Sequence, residues 1–340
     1  LDIANKRDYN YTTSKITTST GYGKGGNGYT KKMSRLTENI LSYMNEWGDH
    51  RFTATGVYSW QNYMYETLSI SGNGFANDET GAWDMGQANR ETVEYGSDKY
   101  ENSLISWTGR VTYAYKDRYL LTATARYDGS SRFGENNKWG FFPSIGLAWR
   151  ASEEKFLAGN KVITNLKVRG SFGVTGNQEI GNYKSLAQLK VDNYIYNDTE
   201  IQGFYETIGN PDLKWERANQ FDIGIDLSLW NRIHVTADYY HRKTSDLLYN
   251  VPIPSTSGFS SMLSNVGSVL NKGWELSITG NIIDLNDLKI DATVNLSRNT
   301  NKIKELYNDV QSITLKSGLG LSSYLKVGES LNSRYALLAD

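Results

Sequence analysis

The chain has 340 residues, no cysteine, a formal net charge of −1, and 24 Tyr and 9 Trp against only 4 Pro. The charge balance argues against a nucleic-acid binder, which carries a basic excess, and the missing cysteines exclude disulfides and thiolate metal sites. So little proline suits long uninterrupted strands, because proline removes a donor from a sheet ladder, and no run approaches the roughly 18 apolar residues of a membrane-spanning helix.

In chain order, a polar segment and a glycine-rich stretch lead into a weak strand candidate near 30–46. From there the sequence alternates. Phe52, Ala54, Gly56, Tyr58 and Trp60 share one parity, with Thr53, Thr55, Ser59 and Gln61 on the other. Ile105, Trp107, Val111, Tyr113 and Tyr115 follow, then Tyr119, Leu121, Ala123, Ala125 and Tyr127 set against Thr122, Thr124, Arg126 and Asp128. Trp139, Phe141, Ile145, Leu147 and Trp149 come next, then Leu166, Val168, Phe172 and Val174. The C-terminal third repeats the pattern in Phe221–Leu229, Ile233–Tyr239, Trp274–Ile282 and Ile290–Leu296, with a weak last candidate at 320–338. A period of two is a strand with one dry and one wet face, and the chain predicts about eleven such strands.

Connections alternate as well. Short ones fall at Gly48–His50, Lys116–Arg118, Asn231–Arg232 and Asp284–Asp287, and long polar ones at 66–99, 177–212, 248–265 and 303–318. The stretch 151–164 is intermediate. Short turns on one rim and long loops on the other are the layout of a transmembrane barrel. A soluble sandwich or propeller fits less well, since its strands usually run about 5–6 residues. Aromatics also end the dry faces, as at Tyr119 and Tyr127. The eight steps between those two cover roughly 26 Å, or about 20 Å at a tilt near 40°, close to the ~25 Å apolar band of such barrels. The dry face is therefore expected to touch lipid.

Chemical motifs are scarce. Gly21-Tyr-Gly23-Lys-Gly25-Gly26 has the glycine spacing of a dinucleotide loop but lacks a buried strand before it and a helix after it. Gly176-Asn-Gln-Glu-Ile-Gly181 has phosphate-loop spacing, but Asn182-Tyr183 replace the required Lys and Ser/Thr. His50, His234 and His241 show no metal spacing, no serine sits in a nucleophile elbow, and the pairs Glu153–Glu154 and Asp222–Asp226 read as solvated turn or lumen groups. The chain is expected to be no enzyme, with no catalytic residue, cofactor or metal. Its long loops hold the candidate ligand contacts. Trp83 stands in "NDETGAWDMGQANRE", and Tyr194, Tyr196, Phe204 and Tyr205 in "VDNYIYNDTEIQGFYET". Aromatic rings amid Asn, Asp and Gln suit stacking on sugar faces or peptide side chains; the alternative is packing within the loop.

Three blocks carry a family resemblance. "RYDGSSRFGENNKWGFFPSIGLAWRASEEKFL" resembles the central block of SusC/RagA-type TonB-dependent outer-membrane transporters, and "NPDLKWERANQFDIGIDLSLWNRIHVTADYYHRKTSDLL" resembles the block after it. "NVGSVLNKGWELSI" is similar to an element widespread in TonB-dependent receptors, with Asn265, Gly267, Asn271, Gly273 and Glu275 filling its pattern. The resemblance implies an all-β fold: an antiparallel transmembrane β-barrel segment with about 11–12 strands of a wall of about 22, short periplasmic turns and long extracellular loops. Residues 1–340 are then expected to be one partial barrel domain, with no plug, TonB box or C-terminal strands.

The resemblance further implies energised import across the outer membrane of a Gram-negative cell. TonB would act through a region absent from this chain, and a SusD-like surface lipoprotein would capture oligosaccharides or, as second choice, peptides. The 177–212 loop is expected to contact that lipoprotein. A passive porin or adhesin barrel and a soluble carbohydrate-binding β-protein are the alternatives. A segment of a larger wall cannot close on itself, so the strands near 30–46 and 320–338 are expected not to pair.

Overall fold

The computed structural model describes residues 1–15, 23–196, 199–285, 287–316, 322–331 and 333. Its strands are β1 (Asp2–Thr12), β2 (Gly23–Trp47), β3 (His50–Phe75), β4 (Glu94–Tyr115), β5 (Tyr119–Ser130), β6 (Trp139–Arg150), β7 (Ile163–Asn177), β8 (Gln188–Tyr196) and β9 (Thr199–Thr207). They continue with β10 (Glu216–Leu229), β11 (Ile233–Ser245), β12 (Leu248–Pro252), β13 (Ser261–Asn265), β14 (Ser268–Asp284), β15 (Lys289–Glu305), β16 (Ser312–Lys316) and β17 (Ser322–Lys326). Eleven form one sheet in the order β1-β2-β3-β4-β5-β6-β7-β10-β11-β14-β15, while β8–β9, β12–β13 and β16–β17 are separate hairpins. The β1–β2 step and every step from β5 to β15 are antiparallel.

The strand number agrees with the sequence, but the membership shifts. Residues 2–12 join the sheet, whereas 322–326 pair with 312–316 instead. The 30–46 segment lies in β2 between β1 and β3, so among the described residues it does not meet the C-terminal segment; positions 334–338 lie outside the described residues.

The expected 66–99 loop shrinks to 76–93, because β3 runs on to Phe75 and β4 starts at Glu94. At 26 residues, β3 is roughly 85 Å long, several times the apolar band of ~25 Å. Beyond that band both faces of a strand meet water, and the alternation that marks a strand in sequence fades. The loops 177–212 and 248–265 likewise contain the hairpins β8–β9 and β12–β13. The short turns are where expected. Two of them use left-handed residue pairs, Lys116–Asp117 (φ 54 and 51) and Trp230–Asn231 (φ 52 and 57), as tight hairpins require.

The chain forms two compact units, Leu1–Asn39 with Ser59–Ile105, and Ile40–Tyr58 with Ser106–Asp340. In the first, the glycine-rich stretch from Gly23 onward is strand rather than nucleotide loop. A Cβ on Gly25 would stand 2.7 Å from the Cβ of buried Ala82 and 2.8 Å from the Tyr11 ring, so the missing side chain lets strand and loop 76–93 close together. Tyr11 packs edge-on against Phe75 and donates its hydroxyl to Asp78 Oδ1 at 2.8 Å. Loss of solvent around the ring and that bond push the Tyr11 pKa to about 12.

In the second unit the register joins one strand's dry face to the next. Across β5, β6, β7, β10, β11 and β14 one row reads Leu121, Leu147, Gly170, Ile223, Tyr239, Trp274, and the row beside it Tyr119, Trp149, Val168, Ile225, Ala237, Leu276. Such a match is strongly specified, because a slip by one residue would send every apolar side chain to the wet face. At the short-turn end of this face, Glu154 accepts from Tyr119 Oη (2.6 Å) and Trp149 Nε1 (3.3 Å). Those bonds hold its carboxyl below the usual range. Two aromatic rings thus keep their apolar bodies on the dry face while one carboxylate satisfies their polar tips.

Candidate functional site

The opposite face of the second unit is a polar field. Arg169, on β7, reaches two strands away to place Nη2 2.7–2.8 Å from the Asp238 carboxylate, while its Nε lies 3.4 Å from Asp226. Lys167 flanks Asp226 at 3.6 Å, and Asp222 accepts from Ser171 (3.3 Å) and Gln220 (2.9 Å). A wide cavity of about 660 Å³ opens over this field, lined among others by Asp222, Tyr240, Arg242, Asn271 and Glu275. Both signs of charge alternate here with amides and a phenol. Such a surface offers a passing polar solute many hydrogen bonds without a strong net field. Asp222 and Asp226, read from sequence as lumen groups, are held here as acceptors and not as an acid/base pair.

The loop-bearing rim is braced by residues 210–215, the "NPDLKW" of the second resemblance block. The backbone N–H of Gly134 donates to Leu213 O at 2.9 Å, Asn136 Nδ2 to Asp212 Oδ1 at 2.8 Å, and Trp215 Nε1 to Lys138 O at 3.1 Å. The buried Trp215 ring lies 4.7 Å from Phe133 and 5.2 Å from Phe142. A Cβ on Gly176 would come within 2.3 Å of Phe142, so the supposed phosphate-loop glycine clears space for this cluster.

On the other side of the brace, Asn265 exchanges bonds with Lys214 (N–H to Oδ1 2.8 Å, Nδ2 to O 2.7 Å) and donates to Asp246 O. Gly267, the next motif position, has φ +78, which glycine adopts without strain. Asn271 and Glu275, two further motif positions, line the polar cavity. The sequence signalled these positions only through the resemblance, since bonds spanning 50–80 residues leave no periodicity.

Trp83 is 68% exposed and ends a short 3₁₀ turn, Gly81–Trp83. One ring face stacks on Tyr9 (centroids 4.6 Å apart, planes at 19°), and the Tyr9 hydroxyl accepts from Ala82 N at 3.2 Å. The loop beneath is fixed: Asp84 accepts from Gly86 N and Gln87 Nε2, and Asn89 N donates to Asn73 O. Trp83 is therefore both packed on a neighbour and open to a ligand. The side chains of Tyr194, Tyr196, Phe204 and Tyr205 lie outside the described residues; their backbone forms β8–β9, with Tyr194 opposite Ile201 and Tyr205 opposite Lys190.

His50 Nδ1 meets Tyr113 Oη at 2.6 Å, and His234 Nδ1 meets Ser228 Oγ at 2.9 Å. Among the described residues no group of His, Asp or Glu gathers that could hold a metal.

A sheet apolar on one face and polar on the other, with short turns at one end and long braced loops at the other, defines a transmembrane barrel wall. Residues 2–336 match the family model for the TonB dependent receptor-like beta-barrel, and the chain belongs to that family. It is 37% identical over 340 residues to TonB-dependent receptor P26 of Formosa agariphila, covering 97% of this chain and 34% of the relative. TonB-dependent receptor SusC of Bacteroides thetaiotaomicron is 39% identical over 224 residues, covering 64% and 22%. The RagAB peptide transporter superposes with a TM-score of 0.86 at 29% identity, over 96% of this chain and 36% of that one. The chain thus spans about a third or less of these relatives. The likenesses are of the SusC/RagA type, whose barrels sit in the outer membrane of Gram-negative bacteria. The short turns are accordingly periplasmic and the long loops extracellular.

Proposed function

We propose that this chain is wall and outer rim of an active importer that takes up oligosaccharides together with a SusD-like lipoprotein, energised by TonB through parts of the protein beyond this segment. The observation that carries the reading is Trp83, an open indole backed by Tyr9 on a fixed extracellular loop. A rigid aromatic platform ringed by polar groups suits the apolar face of a sugar ring, and little ordering cost remains at binding. The near-neutral polar wall around Arg169 and Asp238 supports passage of an uncharged, hydroxyl-rich solute. Peptides are the second reading, favoured by the likeness to the RagAB peptide transporter.

Two measurements test this. Trp83→Ala in the full-length receptor should weaken oligosaccharide binding by about tenfold, the equivalent of the ~1.4 kcal/mol of one aromatic contact, and leave folding unchanged. Unchanged oligosaccharide binding, or a loss seen only with peptides, refutes the glycan reading. Affinity capture of the tagged receptor from native outer membranes should recover a surface lipoprotein in near-equal amount. Capture of the receptor alone refutes the partnership, and with it the proposed role of 177–212 as a contact.

A further inference from the structure

The polar field of the lumen face has a paired half and an open half. Toward β7 the groups satisfy one another: Arg169 crosses Gly224 to reach Asp238, and Ser171 and Gln220 both donate to Asp222. A Cβ on Gly224 would stand 2.3 Å from Asp238 Oδ1 and 2.7 Å from Arg169 Cζ, so the glycine is what lets that ion pair close. Toward β15 the same cavity of about 660 Å³ is lined by Tyr240, Arg242, Asn271, Glu275 and Asn299. Their side chains make no hydrogen bond or ion pair with any described residue.

The register gathers these five around Gly273. That glycine is opposite Tyr240 on β11 and Asn299 on β15, and Arg242 is opposite Asn271. Asn271 and Glu275 stand two residues to either side of Gly273 on β14, hence on its face of the sheet. Tyr240 leans into the gap: a Cβ on Gly273 would meet its Oη at 2.8 Å and its Cζ at 2.9 Å. A half-buried phenol thus lies inside a frame of one guanidinium, one carboxylate and two amides. The frame selects by chemistry. Arg242 only donates, Glu275 only accepts, and each amide does both. An occupant that satisfies all four needs donors and acceptors on adjacent atoms, and an apolar face for the ring. A sugar ring has both. A carboxylate or sulfate drawn to Arg242 would have Glu275 and Asp222 beside it, and the free cation and free carboxylate cancel.

We infer that this frame is a second sugar site, on the lumen wall, where an uncharged sugar unit stacks on Tyr240 and its hydroxyls bridge Arg242, Asn271, Glu275 and Asn299 during passage. The inference rests on the glycan-importer reading above. It is a separate station from Trp83, which belongs to the other compact unit. Capture is the task of Trp83, and throughput is the task of Tyr240.

The test is uptake by intact cells carrying the full-length receptor, with radiolabelled neutral hexasaccharides from glucan, xylan and mannan, a hexagalacturonate and a hexapeptide as probes. The native receptor should import a neutral hexasaccharide in preference to the uronate and the peptide. Tyr240→Ala should lower the maximal import rate about tenfold and leave surface binding unchanged, while Tyr240→Phe, which keeps the ring, should import normally. Trp83→Ala should do the reverse, raising the half-saturating concentration and keeping the maximal rate. Thr236→Ala, elsewhere on the lumen face, should change neither. If Tyr240→Ala fails the heat-modifiability check for a folded barrel, Asn271→Ala with Asn299→Ala must give a severalfold loss of maximal rate. A native maximal rate in folded Tyr240→Ala, a parallel loss of surface binding, or failure of Tyr240→Phe to import each overturns the second site alone. A native receptor that imports only the uronate or the peptide, or none of the probes, overturns the glycan reading and this site with it.

Discussion

Arginine placed at Ala123, Val235 or Ile278 is expected to destabilise the full-length barrel by about 2–4 kcal/mol where the site lies near mid-membrane, whereas arginine at Thr124 or Thr236 is expected to be mild. The register supplies the reason. Val235 stands between Leu227 and Ile278, and Ile278 between Val235 and Val294, so each is surrounded by apolar neighbours on the lipid side. A guanidinium there must snorkel or drag water inward. Thr236 lies between Asp226 and Ser277 on the other face, where a cation meets acceptors. Chemical unfolding in detergent or lipid vesicles reads the difference directly. Equal losses on both parities would reverse or erase the assignment of faces.

Truncation of Trp215 should cost still more. Trp215→Ala removes a buried ring from between Phe133 and Phe142, and it leaves Lys138 O without its indole donor. Large aromatic deletions in packed sites cost about 3–5 kcal/mol. Unlike the arginine variants, this one should act at the rim. Limited proteolysis should open the 131–138 and 210–215 segments together, while the membrane-spanning strands keep their protection. Cleavage of one segment without the other would show that the brace does not couple them.

The parts of the fold legible in sequence are those where a strand is dry on one side and wet on the other. Tyr119–Tyr127 and Ile233–Tyr239 could be read with their faces correctly assigned, because lipid and lumen impose opposite demands on successive residues. Legibility ended where that contrast ends. The stretch of β3 from Tyr63 to Ser71 and the whole of β1 are wet or half-buried on both sides and carry no period of two. The short hairpins β12–β13 and β16–β17 have five-residue arms, too brief to show a pattern. In the candidate site, Trp83 stood out as an indole amid polar residues. Its support by Tyr9, 74 positions earlier, could not be read, and neither could the bonds from Asn265 to Lys214. Long-range partners leave a trace in one sequence only when both ends share a rhythm, and loops have none.

The brace at 210–215 bears on how such a wall diversifies. Asn210 N donates to Ser185 O at 2.9 Å, and a Cβ on neighbouring Gly209 would stand 2.5 Å from Ala187 N, so the excursion carrying β8 and β9 is pinched shut at its base. Beyond that neck, among the described residues, β8 and β9 pair with each other and form a sheet separate from the wall. Lengthening the excursion has a small entropic cost, since each doubling of a closed loop adds about 0.6 kcal/mol. Below the neck, Trp215, Asn265 and Gly134 hold their places whatever the excursion contains. Descent can therefore rewrite the 186–209 cassette in length and chemistry while the strands on either side go on folding as before.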